Sequence, residues 1–540
     1  MRVVTAIILL ILGSLPSIAQ NDSIAYHTDL YFLTANQSFQ PHWQVSNKYG
    51  IFDRNRQTEL VGLFGLAYQY KIGDRFKIET QGEFNVKSDI STSYFQQLYL
   101  NVHYGSLQLK IGKEAYTIAQ YSDALSSGSL FVSNNARPIP KIGIGFYDFT
   151  PVPWIGRYVE FKGAMNFAKL DDDRSMYNGT DNPWYHEKFF YVRSSFLPVN
   201  PYAGLNHSAL FGGTRANGSE IPVDFLATFF GKGSEKVGGG EETNVAGAHF
   251  GLYDVGLDWK IQKTSFKFYY QIPFADRSGM YFNKNGDKLL GLLVDFPGHR
   301  LINSIVYEYT NQTNQSGHGI PDIYFDGEII DLLKVEDVDG FMLQYFDTVT
   351  VGFTPHQLKA HAEKAYNYGY RVGGRDDYYN NGLYPMGQSY HQYSIGPSLI
   401  LSKRDMAVIN PDFNDRYDLF FVSNRIKAHH LAFMGFFTNN ISYRTKLTYA
   451  NNFGSYAGAN KGRQNWASKE DSEYYNSYYF KDGLKQAYTY FELNFTPFKD
   501  KGAKFTSSIA YDFGEMYHNF GVLFGFHYNG FFKLNKSKKD

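Results

Sequence analysis

Between residues 371 and 391 the chain gathers side chains suited to holding a sugar. Tyr378, Tyr379, Tyr384 and Tyr390 offer flat aromatic faces that pack against sugar C–H surfaces. Arg371, Arg375, Asp376, Asp377, Asn380, Asn381 and His391 offer planar polar groups that bridge neighbouring hydroxyls. The plainer reading is a folded loop whose Asn381-Gly382 step is a turn held by its own hydrogen bonds. A second candidate is Arg137, which precedes Pro138 and Pro140. The two prolines fix an extended backbone. Arg137 then either faces an acidic sugar or sits in a structural turn, paired to a carboxylate; the structural reading is preferred.

Other constellations carry less. Asp171, Asp172 and Asp173 suggest a divalent cation, but a solvated acidic loop tip explains them more simply. Glu336–Gly340 lacks the alternating oxygen ligands and terminal Glu of a calcium loop. His429 and His430 are neighbours on a strand and face opposite ways, so they cannot share one metal. No GxSxG or HExxH motif occurs, and isolated Ser and His residues have no distinguishing spacing. Neither catalysis nor a metal or cofactor is expected.

The elements that position these residues are strands. From His518 to Phe532, Phe520, Val522, Phe524, Phe526, Tyr528 and Phe532 alternate with Asn519, Gly521, Leu523, Gly525, His527 and Asn529. Successive strand side chains point to opposite faces, so one face is aromatic and the other mostly small or polar. Leu60–Ile72 and Phe76–Val86, joined at Gly73-Asp74, repeat the pattern as a hairpin with Lys77, Glu79, Gln81, Glu83 and Asn85 on the second face. Charged residues on an inward face are expensive in a packed core but ordinary in a wet lumen. Aromatics make up 18% of the chain, with 45 Tyr and 47 Phe, yet mean hydropathy is −0.38. That combination suits a transmembrane antiparallel β-barrel with aromatic girdles and a polar lumen. Counting segments gives roughly 16 to 18 strands. Past the first residues no apolar run reaches the length of a transmembrane helix.

Residues 1–19 read as a signal peptide, with Arg2 before an apolar run and Ser17 and Ala19 before the cut. The absence of Cys excludes a lipoprotein anchor and a disulfide framework. Residues 20–56 lack clean alternation and read as a periplasmic segment, partly helical, beneath the barrel. Residues 57–533 form the barrel, and 534–540 a basic tail. Within the barrel, 311–393 is a long extracellular loop or cap with a helix expected at 354–366. The formal net charge of +0 gives no argument for a nucleic-acid partner.

Three stretches carry a family resemblance: PHWQVSNKYG at 41–50, NNARPIPKI at 134–142 after SSGSL at 126–130, and GRDDYYNNGLYPMGQSYH at 374–391 continuing into QYSIGPSLI at 392–400. In this order, on an all-β chain with a signal peptide, they resemble the Wzi-like capsule assembly family in its Bacteroidetes form. The resemblance implies an eighteen-stranded outer-membrane barrel, a small helical periplasmic segment, and loops that obstruct the mouth. It also implies a non-catalytic protein that holds capsular polysaccharide at the cell surface. Expected partners are capsular or other surface polysaccharide, outer-membrane lipid and lipopolysaccharide, with the protein a monomer. The alternative from a different class is a porin or substrate-selective channel, and closure of the mouth discriminates the two.

Overall fold

The computed structural model describes residues 23–533 apart from 157, 239–244, 276–278, 281–285, 316–322, 326–327, 331–375, 414–418, 457, 459–476 and 499–501. The expected signal peptide, the basic tail, the helix at 354–366, the Glu336–Gly340 stretch, and Arg371 and Arg375 lie outside the described residues.

Alternating aromatic and polar side chains produce one closed sheet of 18 strands. Its first half comprises β1 (Ser23–Ala35), β2 (Thr58–Ile72), β3 (Phe76–Lys87), β4 (Tyr94–Tyr104), β5 (Leu107–Lys113), β6 (Pro140–Pro151), β7 (Val159–Lys169), β8 (Trp184–Ser194) and β9 (Val199–Phe211). The second half comprises β10 (Ala248–Ile261), β11 (Thr264–Phe274), β12 (Lys288–Asp295), β13 (Ser304–Asn311), β14 (Ile426–Thr438), β15 (Ile441–Asn452), β16 (Leu484–Phe498), β17 (Ala503–Gly514) and β18 (Asn519–Lys533). Each strand pairs antiparallel with the next, and β1 closes the ring against β18. At the seam Phe32 lies opposite both Leu60 and Phe524. All three are outward and exposed, as lipid-facing residues of a membrane barrel are. On β18 the neighbours Asn519 and Leu523 are buried inward, so the alternation read from the sequence is the wall's in–out alternation.

The N-terminal segment departs from expectation. Residues 23–35 are not periplasmic but form a wall strand, paired along its length with β2 and β18. The connection 36–57 leaves β1 at the same end as the 114–139, 170–183, 212–247 and 312–425 connections. The opposite end carries short turns such as 73–75, 105–106, 262–263 and 439–440. Gly73 there has φ +60 with nothing near a would-be Cβ, which is the left-handed conformation a tight hairpin requires. The 36–57 segment therefore sits at the long-loop end, not beneath the barrel.

Three connections fold into the bore and its long-loop mouth. The first, 36–57, includes the single-turn helix α1 (His42–Val45). The second is 114–139, pinched by an Ile118–Val132 bridge. The third is the described part of 376–425. Their apolar side chains form one buried cluster with inward wall residues, including Phe39, Trp43, Leu125, Phe131, Phe250, Tyr378 and Tyr384. A fourth connection, 212–247, instead lays the short helix α2 (Phe225–Phe230) on the outer wall, where Phe225 meets Phe167 and Phe211. Helix α3 (Lys403–Ile409) in the third segment begins with a Ser402–Asp405 capping box.

Candidate functional site

The wall presents single carboxylates inward from well-separated strands, and plug segments cap them. Glu308 of β13 accepts from the Ser126 hydroxyl at 2.7 Å and the Ser127 backbone N–H at 2.7 Å. It also accepts from the hydroxyls of Ser127 and of Tyr269 on β11. Asp254 of β10 accepts from Tyr121 and from the wall residue Tyr191. Glu187 of β8 accepts from Tyr116 and from Lys141 at 2.9 Å. Asp512 of β17 accepts the His42 backbone N–H at 2.6 Å, and Glu59 of β2 accepts the Asp53 N–H at 3.0 Å. Leaving a buried donor or acceptor without its partner costs about 1–3 kcal/mol, so these are the polar fasteners of the plug.

Trp43 anchors the first segment. Its indole N–H donates to the Thr448 hydroxyl at 3.0 Å, and the Lys446 ammonium lies 4.6 Å from its ring. His430 of β14 reaches the second segment by donating to the Leu125 carbonyl at 2.7 Å. Its neighbour His429 points outward to Tyr307, as strand geometry requires. Arg54 pairs with Asp405 at 3.1 Å and ties the first segment to the third.

Most of the expected sugar-binding residues are committed to the third segment. Tyr378, Tyr379, Tyr384 and Tyr390 are all at most 3% exposed. Their hydroxyls donate to the Pro273, Leu130 and Gly212 carbonyls and to Asp171, respectively. Buried rings of this kind present no face to a solute, so these tyrosines build the plug. Asp377 is buried and accepts from the Asn424 amide at 2.9 Å. Asn380 exchanges hydrogen bonds with the Phe421 backbone at 2.8 and 3.0 Å. The Asn381 side-chain Oδ1 accepts from the Leu383 and Tyr384 N–H groups, which is the turn the plainer reading expected. Asp376, Asn380, Asn381 and His391 keep part of their surface.

Two expectations are corrected here. Asp171 and Asp173 are exposed, as a solvated tip requires, but Asp172 is buried, accepts the His391 backbone N–H at 3.0 Å, and faces Arg174 at 3.9 Å. Burial raises the Asp172 carboxyl above its ordinary range, with Arg174 opposing. Arg137 is not paired to a carboxylate among the described residues. Its guanidinium stacks 3.7 Å from the Tyr94 ring centroid, a cation–π contact. Burial, and then the charges of Arg137 and Lys113, lower the His391 imidazole to about 3. It is therefore neutral at working pH, in a neighbourhood already rich in fixed positive charge.

Gly387 fixes the hairpin of the third segment. It has φ +52, and a Cβ there would lie 1.8 Å from the Tyr379 carbonyl oxygen. Gly387→Ala is expected to shift the hairpin, with strain of about 1–3 kcal/mol. Limited proteolysis of the folded barrel should then cut within 376–400 at least several times faster than in wild type. Unchanged protection would mean that the hairpin is not under this constraint.

A family model described as capsule assembly protein Wzi matches residues 38–327. The chain belongs to the Wzi capsule assembly family. The Wzi match runs from the first plug segment through the second to just beyond β13. Among solved structures the fold resembles Wzi of Escherichia coli, an outer membrane protein involved in group 1 capsule assembly and described as a carbohydrate-binding β-barrel. That likeness has 13% identity, 97% of this chain, 87% of that chain and a TM-score of 0.51. Pseudomonas aeruginosa OccK3 is also similar, at 11% identity, 97% and 99% coverage and a TM-score of 0.46. No curated protein matches the chain. The fasteners of this Wzi-family plug went unread in the sequence. Their only signal is a lone acid between aromatic or apolar residues, as in Tyr307-Glu308-Tyr309 or Tyr253-Asp254-Val255.

Proposed function

We propose that this outer-membrane protein binds capsular or another surface polysaccharide and holds it at the cell surface without chemical turnover. The observation that carries this is the plug. Of three connections distant in sequence, the first two are hydrogen-bonded to wall carboxylates around the bore, and the third is tied to the first through Arg54 and Asp405 and to the wall through the Pro273 and Ala248 carbonyls. A channel needs an open path through the bore, whereas a surface anchor needs a rigid platform across its mouth. The long-loop end is the outward one, because such barrels keep short turns on the periplasmic side. Family membership points the same way.

The sugar-contacting surface is assigned to groups that keep access at that mouth: Arg137, Asp376, Asn380, Asn381 and His391, together with Arg371 and Arg375. The buried tyrosines hold this surface in place. Arg137, a cation with no carboxylate partner among the described residues, suits an acidic glycan. Each polar contact contributes about 0.5–1.5 kcal/mol net, so losses should be graded. Arg137→Ala combined with Asn381→Ala should weaken polysaccharide retention by roughly tenfold, with synthesis intact and the barrel still heat-modifiable on a gel. Cell-bound and released polysaccharide, measured in a deletion strain carrying the double variant, tests this. Normal retention in that strain moves the contact surface elsewhere. Normal retention in the deletion strain itself rejects the anchor.

A further inference from the structure

The outer wall is indented across β5 to β9, and the indentation holds one cation. A cavity of about 530 Å³ is lined by Leu107, Phe146, Phe161, Phe190 and Leu205, with Lys188 and His207 also at its edge. Its floor is low because Gly163 lies opposite both Phe146 and Phe190, and a Cβ there would meet the Phe190 ring at 2.9 Å. The register of β6 against β7 also shifts between Phe146 and Thr150, and a bulge bends the strand that carries it. A single extended acyl chain fits such a trough.

Lys188 faces lipid, in register with Met165 on one side and His207 on the other. A lysine on that face is costly, by about 2–4 kcal/mol at the midplane, so its retention calls for a counter-charge. The side chain is held from above by α2. Its ammonium donates to the Phe229 carbonyl near the end of that helix and lies 3.6 Å from the Phe229 ring centroid. One donor is used in this way, and an ammonium has three. His207 is not a further donor: it gives its Nε2–H to His249 Nδ1 at 2.9 Å, since the His249 Nε2–H goes to the Ala246 carbonyl. Trp184, stacked with Phe211 and approached by Lys169, marks the interfacial girdle. Lys188 lies four residues below it, about 13 Å along the strand. The exposed Leu226 and Phe230 of α2 extend the apolar surface over this site.

We propose that this trough is a binding site for a phosphorylated glycolipid of the outer leaflet, lipopolysaccharide, with one acyl chain along Phe146, Phe161 and Phe190 and a phosphate against Lys188. The occupant follows from charge complementarity and level. An anion with an attached chain is needed on the long-loop side of the wall, where the Lys188 ammonium reaches back toward the girdle to α2, and that leaflet carries phosphorylated glycolipid.

The test is native mass spectrometry of the delipidated full-length barrel titrated with bisphosphorylated lipid A. Phosphatidylglycerol and dephosphorylated lipid A serve as comparison probes. One tightly held lipid A per barrel is expected. Lys188→Met should weaken it about tenfold, the scale of one charge-assisted hydrogen bond. Leu205→Trp, which fills the trough while keeping the wall apolar, should weaken it similarly, and Ile509→Trp on a distant strand should not. Each variant is first checked for heat-modifiable mobility, and the two trough variants fail for different reasons if either misfolds. Equal binding by wild type and both trough variants overturns the site. Equal affinity for phosphatidylglycerol, or for dephosphorylated lipid A, overturns its assignment to this glycolipid.

Discussion

Glu308→Ala is expected to turn a silent barrel into a conducting one. Wild-type protein in a planar bilayer should show no sustained single-channel steps, and the variant should show them at porin-like size. Four donors converge on the Glu308 carboxylate, from Ser126, from Ser127 twice and from Tyr269. Removing the acceptor leaves buried neutral donors without a partner, at about 1–3 kcal/mol for each that finds no other acceptor. That is comparable to what holds the 114–139 segment at this point of the bore. The wall itself should survive, because strand pairing of β13 with β12 and β14 runs through the backbone. Conductance in wild type would return the weight to the porin reading. Silence in the variant, with 114–139 still protected from protease, would show that Glu308 is not a principal fastener.

The second large effect concerns the lipid face. Phe524→Arg should destabilise the folded barrel by about 2–4 kcal/mol, the cost of an arginine near the bilayer midplane. Asn529→Arg should cost much less, because Asn529 lies on the opposite face near the short-turn rim. Denaturant titration of refolded protein in detergent or vesicles separates the two. Equal costs would mean that the inward and outward faces have been exchanged.

The wall was legible because a strand has a period of two and its two faces meet different solvents. β18 shows this along its whole length. β1 was not legible, and the reason is local. Its inward residue Leu33 does not meet water, and Tyr31 is only partly exposed. Leu33 packs with Val45, Phe52, Val61 and Leu523, and Tyr31 lies edge-on to Phe52. A strand with apolar residues on both faces loses its alternation, so it read as irregular. The site was half legible for a related reason. Tyr, Asn and Asp at 376–391 are the groups that bind a sugar, and they are equally the groups that satisfy one another in a polar interior. Composition locates such a cluster but does not say whether its partner is a solute or the chain itself. Tyr384 and Tyr390 proved to be bonded to Gly212 and Asp171.

Both ends of every plug segment run directly into wall strands: β1 and β2 for the first, β5 and β6 for the second, β13 and β14 for the third. Such a segment has no free end, so it enters the bore only as a loop or is already there when the wall closes. The last pairing to close a single-chain barrel joins its two terminal strands, here β1 with β18. β1 leads directly into the segment that carries Trp43. Zipping that seam therefore seals the filling in. Assembly in the membrane becomes a problem of order: the interior must be gathered while the sheet is still an open, curved ribbon.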